Sequence, residues 1–140
     1  MRLYVFGNGN LSFTDFLTLY HEPLTRLPLA GDGAAQVLVA DFRGVDTLAM
    51  ECLKCLTPNV RVYHVGARPR YLPDKFRTKV GQWQLVGGFA DDAARDAAAI
   101  EACTHFLAHD FNSDANRTSG TRRNIERCLE LGKTRLEGGT

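Results

Sequence analysis

The stretch that decides the fold contains ACTHFLAHD at residues 102–110, FNSDANR at 111–117 and SGTRRNIERCLELGK at 119–133. An apolar run, a polar loop and an amphipathic segment in that order predict a buried strand, a connection and a helix. The first turn of the helix holds Ser119, Gly120 and Thr121. A helix N-terminus leaves backbone N–H groups unpaired and carries partial positive charge, and glycine lets an anion approach them closely. This turn is therefore expected to bind a phosphate or a carboxylate.

The composition is that of an ordinary globular protein. The chain has 140 residues, of which 44% are hydrophobic and 24% are charged, and its formal net charge is +1. That length fits one domain over residues 1–140, and the small net charge gives no general attraction to nucleic acid or to membranes. The apolar runs are shorter than the roughly 20 residues of a membrane span, and the N-terminus lacks the pattern of a signal peptide. A cytoplasmic location is expected.

Shorter runs extend an alternation of strands and helices along the chain. Strands are predicted at residues 2–6, 37–42, 60–65 and 104–109, with a last short strand at 134–136, while 82–88 fits either a strand or a packed loop. Helices are predicted from Ser12, after Arg43, across 89–103 and from Ser119. Strands that alternate with helices favour parallel pairing. The expected fold is therefore α/β, a three-layer Rossmann-like sandwich with a mostly parallel five-stranded sheet in the order 3-2-1-4-5.

The loops that follow the strands are the expected ligand-binding elements, because ligands of such sheets bind where these loops meet helix N-termini. GNGN at 7–10 follows the first predicted strand. Gly7 and Gly9 permit a tight turn with exposed N–H groups, which either contact a ligand or form a plain turn. After the second strand, Asp46 is the predicted N-cap of the next helix.

Clusters of basic residues occur at two places. Arg117, Arg122 and Arg123 crowd the start of the last helix, where cations are unfavourable unless an anion is bound or a neighbouring acid compensates. The stretch from Arg68 to Lys79 follows the end of the third predicted strand. It is either a lid over a bound phosphate or a solvated loop.

No metal or other cofactor is predicted. Cys52 and Cys55 form a CxxC motif, but it lies within a predicted helix and has no second pair or neighbouring histidine. The sequence from Asp110 begins like a calcium-binding loop. It then has Ala115 in place of the turn glycine and Thr121 in place of the bidentate glutamate.

Residues 44–133 resemble the SLOG superfamily, the Rossmann-like group that includes the Lonely Guy phosphoribohydrolases. The resemblance rests on RGVDTLA at 43–49, on Arg95 at the start of a helix that leads into ACTHFLAHD, and on SGT at 119–121. It implies a nucleotide site at the strand ends in which Arg95 takes part, and it implies a homodimer.

Two single positions depart from the pattern of the phosphoribohydrolases, besides the loop NRTSGT at 116–121, which lacks the proline and two glycines that these enzymes have before the turn. These enzymes have a catalytic glutamate three residues after the threonine of the turn, where this chain has Asn124. They also have a basic residue next to the arginine, where this chain has Asp96. The resemblance therefore supports the fold and the anion site more than it supports the hydrolase chemistry.

The resulting hypothesis is a small cytosolic protein that binds a nucleotide or another sugar phosphate, with no nucleic-acid or membrane partner. One alternative is an N-glycosidic hydrolase or transferase of the phosphoribohydrolase or deoxyribosyltransferase kind, for which the catalytic candidates are Glu51, Asp46 and Arg95. Asp41 and Asp110 are further acids that could act as its nucleophile. The other alternative is an interaction protein with a vestigial anion site. The predicted ligand-binding residues are Gly7, Asn8, Gly9, Gly44, Asp46, Arg95, Ser119, Gly120 and Thr121.

Overall fold

Strands and helices alternate along the chain in the computed structural model, which describes residues 1–137. The strands are β1 (Arg2–Val5), β2 (Gln36–Ala40), β3 (Val60–Val65), β4 (Gln84–Phe89), β5 (His105–Leu107) and β6 (Thr134–Arg135). The helices are α1 (Phe13–Phe16), α2 (Glu22–Thr25), α3 (Val45–Leu53), α4 (Asp92–Ala102) and α5 (Gly120–Glu130), with a π-helical turn at Leu17–His21 and a 3-10 turn at Val80–Gln82. Among these described helices, none has the length and apolar character to span a membrane.

All six strands pair in parallel, in the order β4-β3-β2-β1-β5-β6. This confirms the predicted α/β class with a parallel sheet. The prediction of five strands in the order 3-2-1-4-5 is not matched, because QLVGGF forms an additional strand, β4, at the edge beside β3. An edge strand is partly open to solvent and does not need the apolar pattern of a buried strand. Gly87 is required in it, since a Cβ there would lie 1.8 Å from the His64 ring.

Hydrophobic cores lie on both faces of the sheet. On one face, strand residues such as Leu3 and Val37 pack against the helical segment 13–25 and against α3. On the other face, Tyr4 and Phe106 belong to the core that includes residues of α4 and α5. Side chains of a strand point alternately to the two faces, so neighbours such as Leu3 and Tyr4 enter different cores.

The π-helical turn joins the ends of two central strands. It continues α1 into α2 and carries the buried Tyr20. The Tyr20 hydroxyl donates to Phe6 O at 2.8 Å, just beyond β1, and accepts from His109 N at 2.8 Å, just beyond β5. The carboxyl ends of these strands are thereby held together.

The helix starts confirm the predicted start at Ser12 and correct the predicted cap of α3. Ser12 caps α1, because its Oγ accepts from Asp15 N at 3.1 Å. The prediction that Asp46 caps α3 is wrong. Gly44 is the N-cap residue, and Asp46 lies in the first turn, where its Oδ2 accepts from Phe42 N at 3.1 Å. The side chain of Asp46 thus bonds back to the preceding loop.

Candidate functional site

A cavity of about 520 Å³ lies at the carboxyl ends of β1, β2 and β5. The loop after β1, the loop after β2, the start of α4, and the loop that leads into α5 all contribute to its walls. This is the edge of a parallel sheet at which ligands are expected. Its volume lies within the range of roughly 300–1,000 Å³ that is typical of small-molecule sites.

The loops after β1 and β2 approach each other closely beside the cavity. Gly44 has a φ of +76°, and a Cβ there would lie 2.6 Å from Asn8 O and from backbone atoms of Gly9. Val45 N also donates to Asn8 O at 3.4 Å. Any side chain at position 44 would push the loops apart. Gly44 therefore shapes the site without lining the cavity.

Asn8 connects the loop after β1 to the start of α5. Its Nδ2 donates to Asp110 Oδ1 at 2.9 Å and to Thr121 Oγ1 at 3.3 Å. The Ser119 hydroxyl donates to the same oxygen of Asp110 at 2.7 Å. Burial would raise the pKa of Asp110, but the hydrogen bonds that it accepts outweigh burial and lower the pKa to about 2. The ionised carboxylate of Asp110 thus fixes the position of the loop after β1 relative to the start of α5.

The first turn of α5 presents two backbone donors to the cavity. Ser119 Oγ accepts from Arg122 N at 3.0 Å, so the third N–H of the helix is capped. The N–H groups of Gly120 and Thr121 have no hydrogen-bond partner within residues 1–137, and both residues line the cavity. A Cβ on Gly120 would meet no atom within 4 Å, so the approach to these donors is open.

Two arginine side chains at the cavity carry charge that no carboxylate of residues 1–137 neutralises. Arg43 and Arg117 are exposed and line the cavity, and neither forms an ion pair with a described residue. Arg122 lies on the same turn, but it pairs with Glu126 at 3.2 Å and does not line the cavity. Together with the start of α5, Arg43 and Arg117 give this part of the cavity a positive potential.

Arg95 organises a second wall, which is rich in carboxylates. It is buried, and its Nη1 donates to Asp41 Oδ1 at 2.9 Å and to Asp92 Oδ1 at 2.8 Å, while its Nη2 donates to Asp96 Oδ1 at 2.8 Å. Arg70 pairs with Asp41 at 3.1 Å and with Asp92 at 2.6 Å. Burial would raise the pKa of Asp41, but hydrogen bonds from Arg70 and Arg95 outweigh burial and lower it.

Asp46 lines the cavity beside this network and forms no ion pair with a described residue. Only 5% of it is exposed. Burial raises the pKa of Asp46 to about 8; the nearby Arg95 opposes this effect, and the carboxylates of Asp96 and Asp41 add to it. The carboxyl group is therefore mostly protonated at neutral pH and can donate a hydrogen bond.

The two positions that depart from the phosphoribohydrolase pattern contact each other. Asn124 Nδ2 donates to Asp96 Oδ2 at 3.0 Å, and both residues line the cavity. Asn124 thus satisfies the oxygen of Asp96 that Arg95 does not contact. A glutamate at position 124 would place two carboxylates next to each other.

Most of the predicted site residues line the cavity, namely Gly7, Asn8, Gly9, Asp46, Arg95, Ser119, Gly120 and Thr121. Gly44 lies beside it. Glu51 does not line it, because it lies near the end of α3, where its carboxylate accepts from the Tyr71 hydroxyl at 2.6 Å and pairs with Lys54 at 3.0 Å. The predicted site residues did not include Phe42, Arg43 and Asp92, which also line the cavity. Phe42 and Arg43 lie in the loop at 41–46, one of the strand-end loops that are expected to bind a ligand.

The basic stretch from Arg68 to Lys79 is attached to the carboxylate wall without lining the cavity. Besides the ion pairs of the Arg70 side chain, its backbone N–H donates to Asp41 Oδ2 at 3.0 Å. Phe42, Arg43, Arg70 and Tyr71 take part in a second, more open pocket of about 330 Å³. Arg70 is therefore the residue through which this stretch contacts the carboxylate wall.

Comparisons with known proteins identify no relative of the chain. No protein-family model, curated protein or solved structure matches the chain. The function is therefore argued from the geometry of the cavity.

Proposed function

We propose that this protein binds a nucleotide or a nucleotide-derived phosphate in the cavity at the carboxyl ends of β1, β2 and β5. The observation that carries the proposal is the pair of free backbone N–H groups at Gly120 and Thr121, with the unpaired Arg43 and Arg117 nearby. Backbone donors at a helix start and unpaired guanidinium groups are the groups that bind phosphate in proteins. A phosphate here would neutralise charge that no described carboxylate neutralises.

The rest of the cavity suits the organic part of such a ligand. Phe42 offers an aromatic surface at one wall, and the Arg95 network, Asp46 and Asn124 offer polar groups at another. Small-molecule sites commonly combine apolar surface with a few fixed polar groups that set orientation. The resemblance to the SLOG superfamily supports the same type of ligand, because the turn at 119–121 is one of its matching motifs.

The test compares the binding of AMP and of adenosine by calorimetry. Arg117→Ala should weaken AMP binding by about tenfold to a hundredfold, because a charge-assisted hydrogen bond is worth about 1.5–3 kcal/mol and each 1.4 kcal/mol is a factor of ten. Adenosine, which lacks the phosphate, should bind both proteins equally. Arg127→Ala is the matched control, since it removes one charge from the last turn of α5, where Arg127 pairs only with Glu130 at 3.3 Å. Failure of the wild type to bind AMP would contradict the proposal.

A second candidate function is the cleavage or transfer of an N-glycosidic bond. Asp46 favours it, because a protonated carboxyl in a binding cavity can act as a general acid on a leaving base. Of the three catalytic candidates, Asp46 and Arg95 line the cavity and Glu51 does not. Asn124 argues against this function, because it stands where the phosphoribohydrolases have their catalytic glutamate. Release of adenine from AMP, followed by chromatography, distinguishes the two functions.

A further inference from the structure

More acidic than basic groups meet at the carboxylate wall of the cavity and directly behind it. The carboxyl groups are those of Asp41, Asp46, Asp92 and Asp96, and the guanidinium groups are those of Arg70 and Arg95. Five ion pairs between 2.6 and 3.1 Å join Asp41, Asp92 and Asp96 to the two arginines. Asp46 takes part in none of them. The two arginines of this wall are therefore already engaged by three carboxylates. Arg43 and Arg117, the unpaired arginines that line the same cavity, form no ion pair with Asp46 either.

The surroundings of Asp46 also disfavour a negative charge. Asp41, which follows β2, and Asp96 on α4 are both acidic, and the nearby Arg95 on α4 bonds to those two residues and Asp92. From the other packed elements, the titratable groups near Asp46 are the hydroxyls of Tyr4 on β1 and Tyr20 in the π-helical turn. A buried carboxyl that lies among other carboxylates and forms no ion pair itself favours its protonated form.

One oxygen of Asp46 is available to a ligand. Its Oδ2 accepts from Phe42 N at 3.1 Å, while its Oδ1 has no hydrogen-bond partner within residues 1–137. We propose that Asp46 remains protonated in the folded protein and donates a hydrogen bond from its free oxygen to an acceptor atom of the bound ligand. This inference rests on the proposed function, since the ligand is the phosphate compound that the cavity binds. The acceptor is a phosphate oxygen, a carbonyl oxygen or a ring nitrogen, because each takes a hydrogen bond from a neutral acid.

The experiment measures the affinity for AMP between pH 7 and pH 9.5. The second ionisation of the phosphate, with a pKa of about 6, is about 90% complete at pH 7, so the charge of the probe changes by only about a tenth of a unit over this range. With a pKa of about 8, only about 3% of Asp46 is neutral at pH 9.5. If only the neutral form binds, the affinity of the wild type falls about thirtyfold between the two pH values.

Asp46→Asn supplies a permanent donor of similar shape. It should remove the fall with pH and bind AMP at pH 9.5 about tenfold or more tightly than the wild type does. Asp32→Asn, in an exposed loop, is the control and should show the pH profile of the wild type. The inference is overturned if the affinity of the wild type for AMP is constant with pH. It is also overturned if the affinity rises with pH, because AMP would then donate a hydrogen bond to an ionised Asp46. Either result leaves the proposed function intact. Absence of AMP binding at every pH overturns both.

Discussion

Replacement of Asp46 by asparagine should make the protein more stable at neutral pH. An acid whose pKa is raised on folding costs no stability below its ordinary pKa. The cost grows as the pH rises toward the folded-state pKa, because the unfolded chain loses its proton first. For Asp46 this window extends from 3.8 to about 8. Asparagine does not titrate and preserves an oxygen that accepts the hydrogen bond from Phe42 N.

The size of the effect follows from the width of that window. Each unit between the ordinary pKa and the solution pH is worth about 1.36 kcal/mol, so the variant should be more stable by on the order of 1.5 kcal/mol at pH 5 and 4 kcal/mol at pH 7. Urea denaturation of both proteins at a series of pH values measures the difference directly. Asp32→Asn serves as the control and should follow the wild type. A difference between wild type and Asp46→Asn that does not grow with pH would refute the assignment of a neutral carboxyl.

Three further predictions concern the loops around the cavity. Gly44→Ala should destabilise the protein by about 3 kcal/mol or more in urea denaturation, because the added Cβ would meet the backbone of residues 8 and 9. Gly33→Ala is the control: Gly33 has the same φ but open space around it, so this variant should cost only about 1 kcal/mol. Gly120→Ala should leave stability unchanged or raise it by up to about 1 kcal/mol while weakening AMP binding in calorimetry; equal AMP affinity would remove the phosphate from this turn. If the stretch from Arg68 to Lys79 is a lid, AMP should slow its amide hydrogen exchange. Arg70→Ala, which removes the side-chain ion pairs to Asp41 and Asp92, should speed exchange in the free protein. Equal exchange with and without AMP would make it a surface loop.

The conformation of the proposed anion-binding turn is predictable because it depends on local sequence. Ser119, Gly120 and Thr121 adjoin one another, and the capping preference of serine and the missing side chain of glycine act within a single helical turn. GNGN at 7–10 is similarly local, since it directly follows a strand. Each of these motifs contains the residues that determine its own conformation.

The carboxylate wall could not be predicted because its partners are far apart in sequence. Arg95 and Asp41 are separated by 54 positions, and their ion pair depends on the packing of α4 against the sheet. The misassigned cap of α3 has a related cause. Gly44 takes a positive φ where the loop after β2 meets the loop after β1, and this tertiary contact moves Asp46 from the cap into the first turn. The edge strand β4 was ambiguous because two glycines interrupt its pattern.

Two costly features lie close together in the loop that joins β2 to α3. Gly44 adopts a positive φ in contact with the neighbouring loop, and Asp46 buries a carboxyl group without a counter-charge. Neither feature strengthens a hydrophobic core, and both bear on the shape or the chemistry of the same cavity. Departures from local preference tend to occur at functional sites, where a less stable arrangement performs a task. An amide at position 46 would relieve the cost at all pH values, but a carboxyl group can also change its charge. If a ligand accepts the hydrogen bond proposed for Asp46, its binding is coupled to the proton on Asp46, and a coupling of this kind must act in both directions.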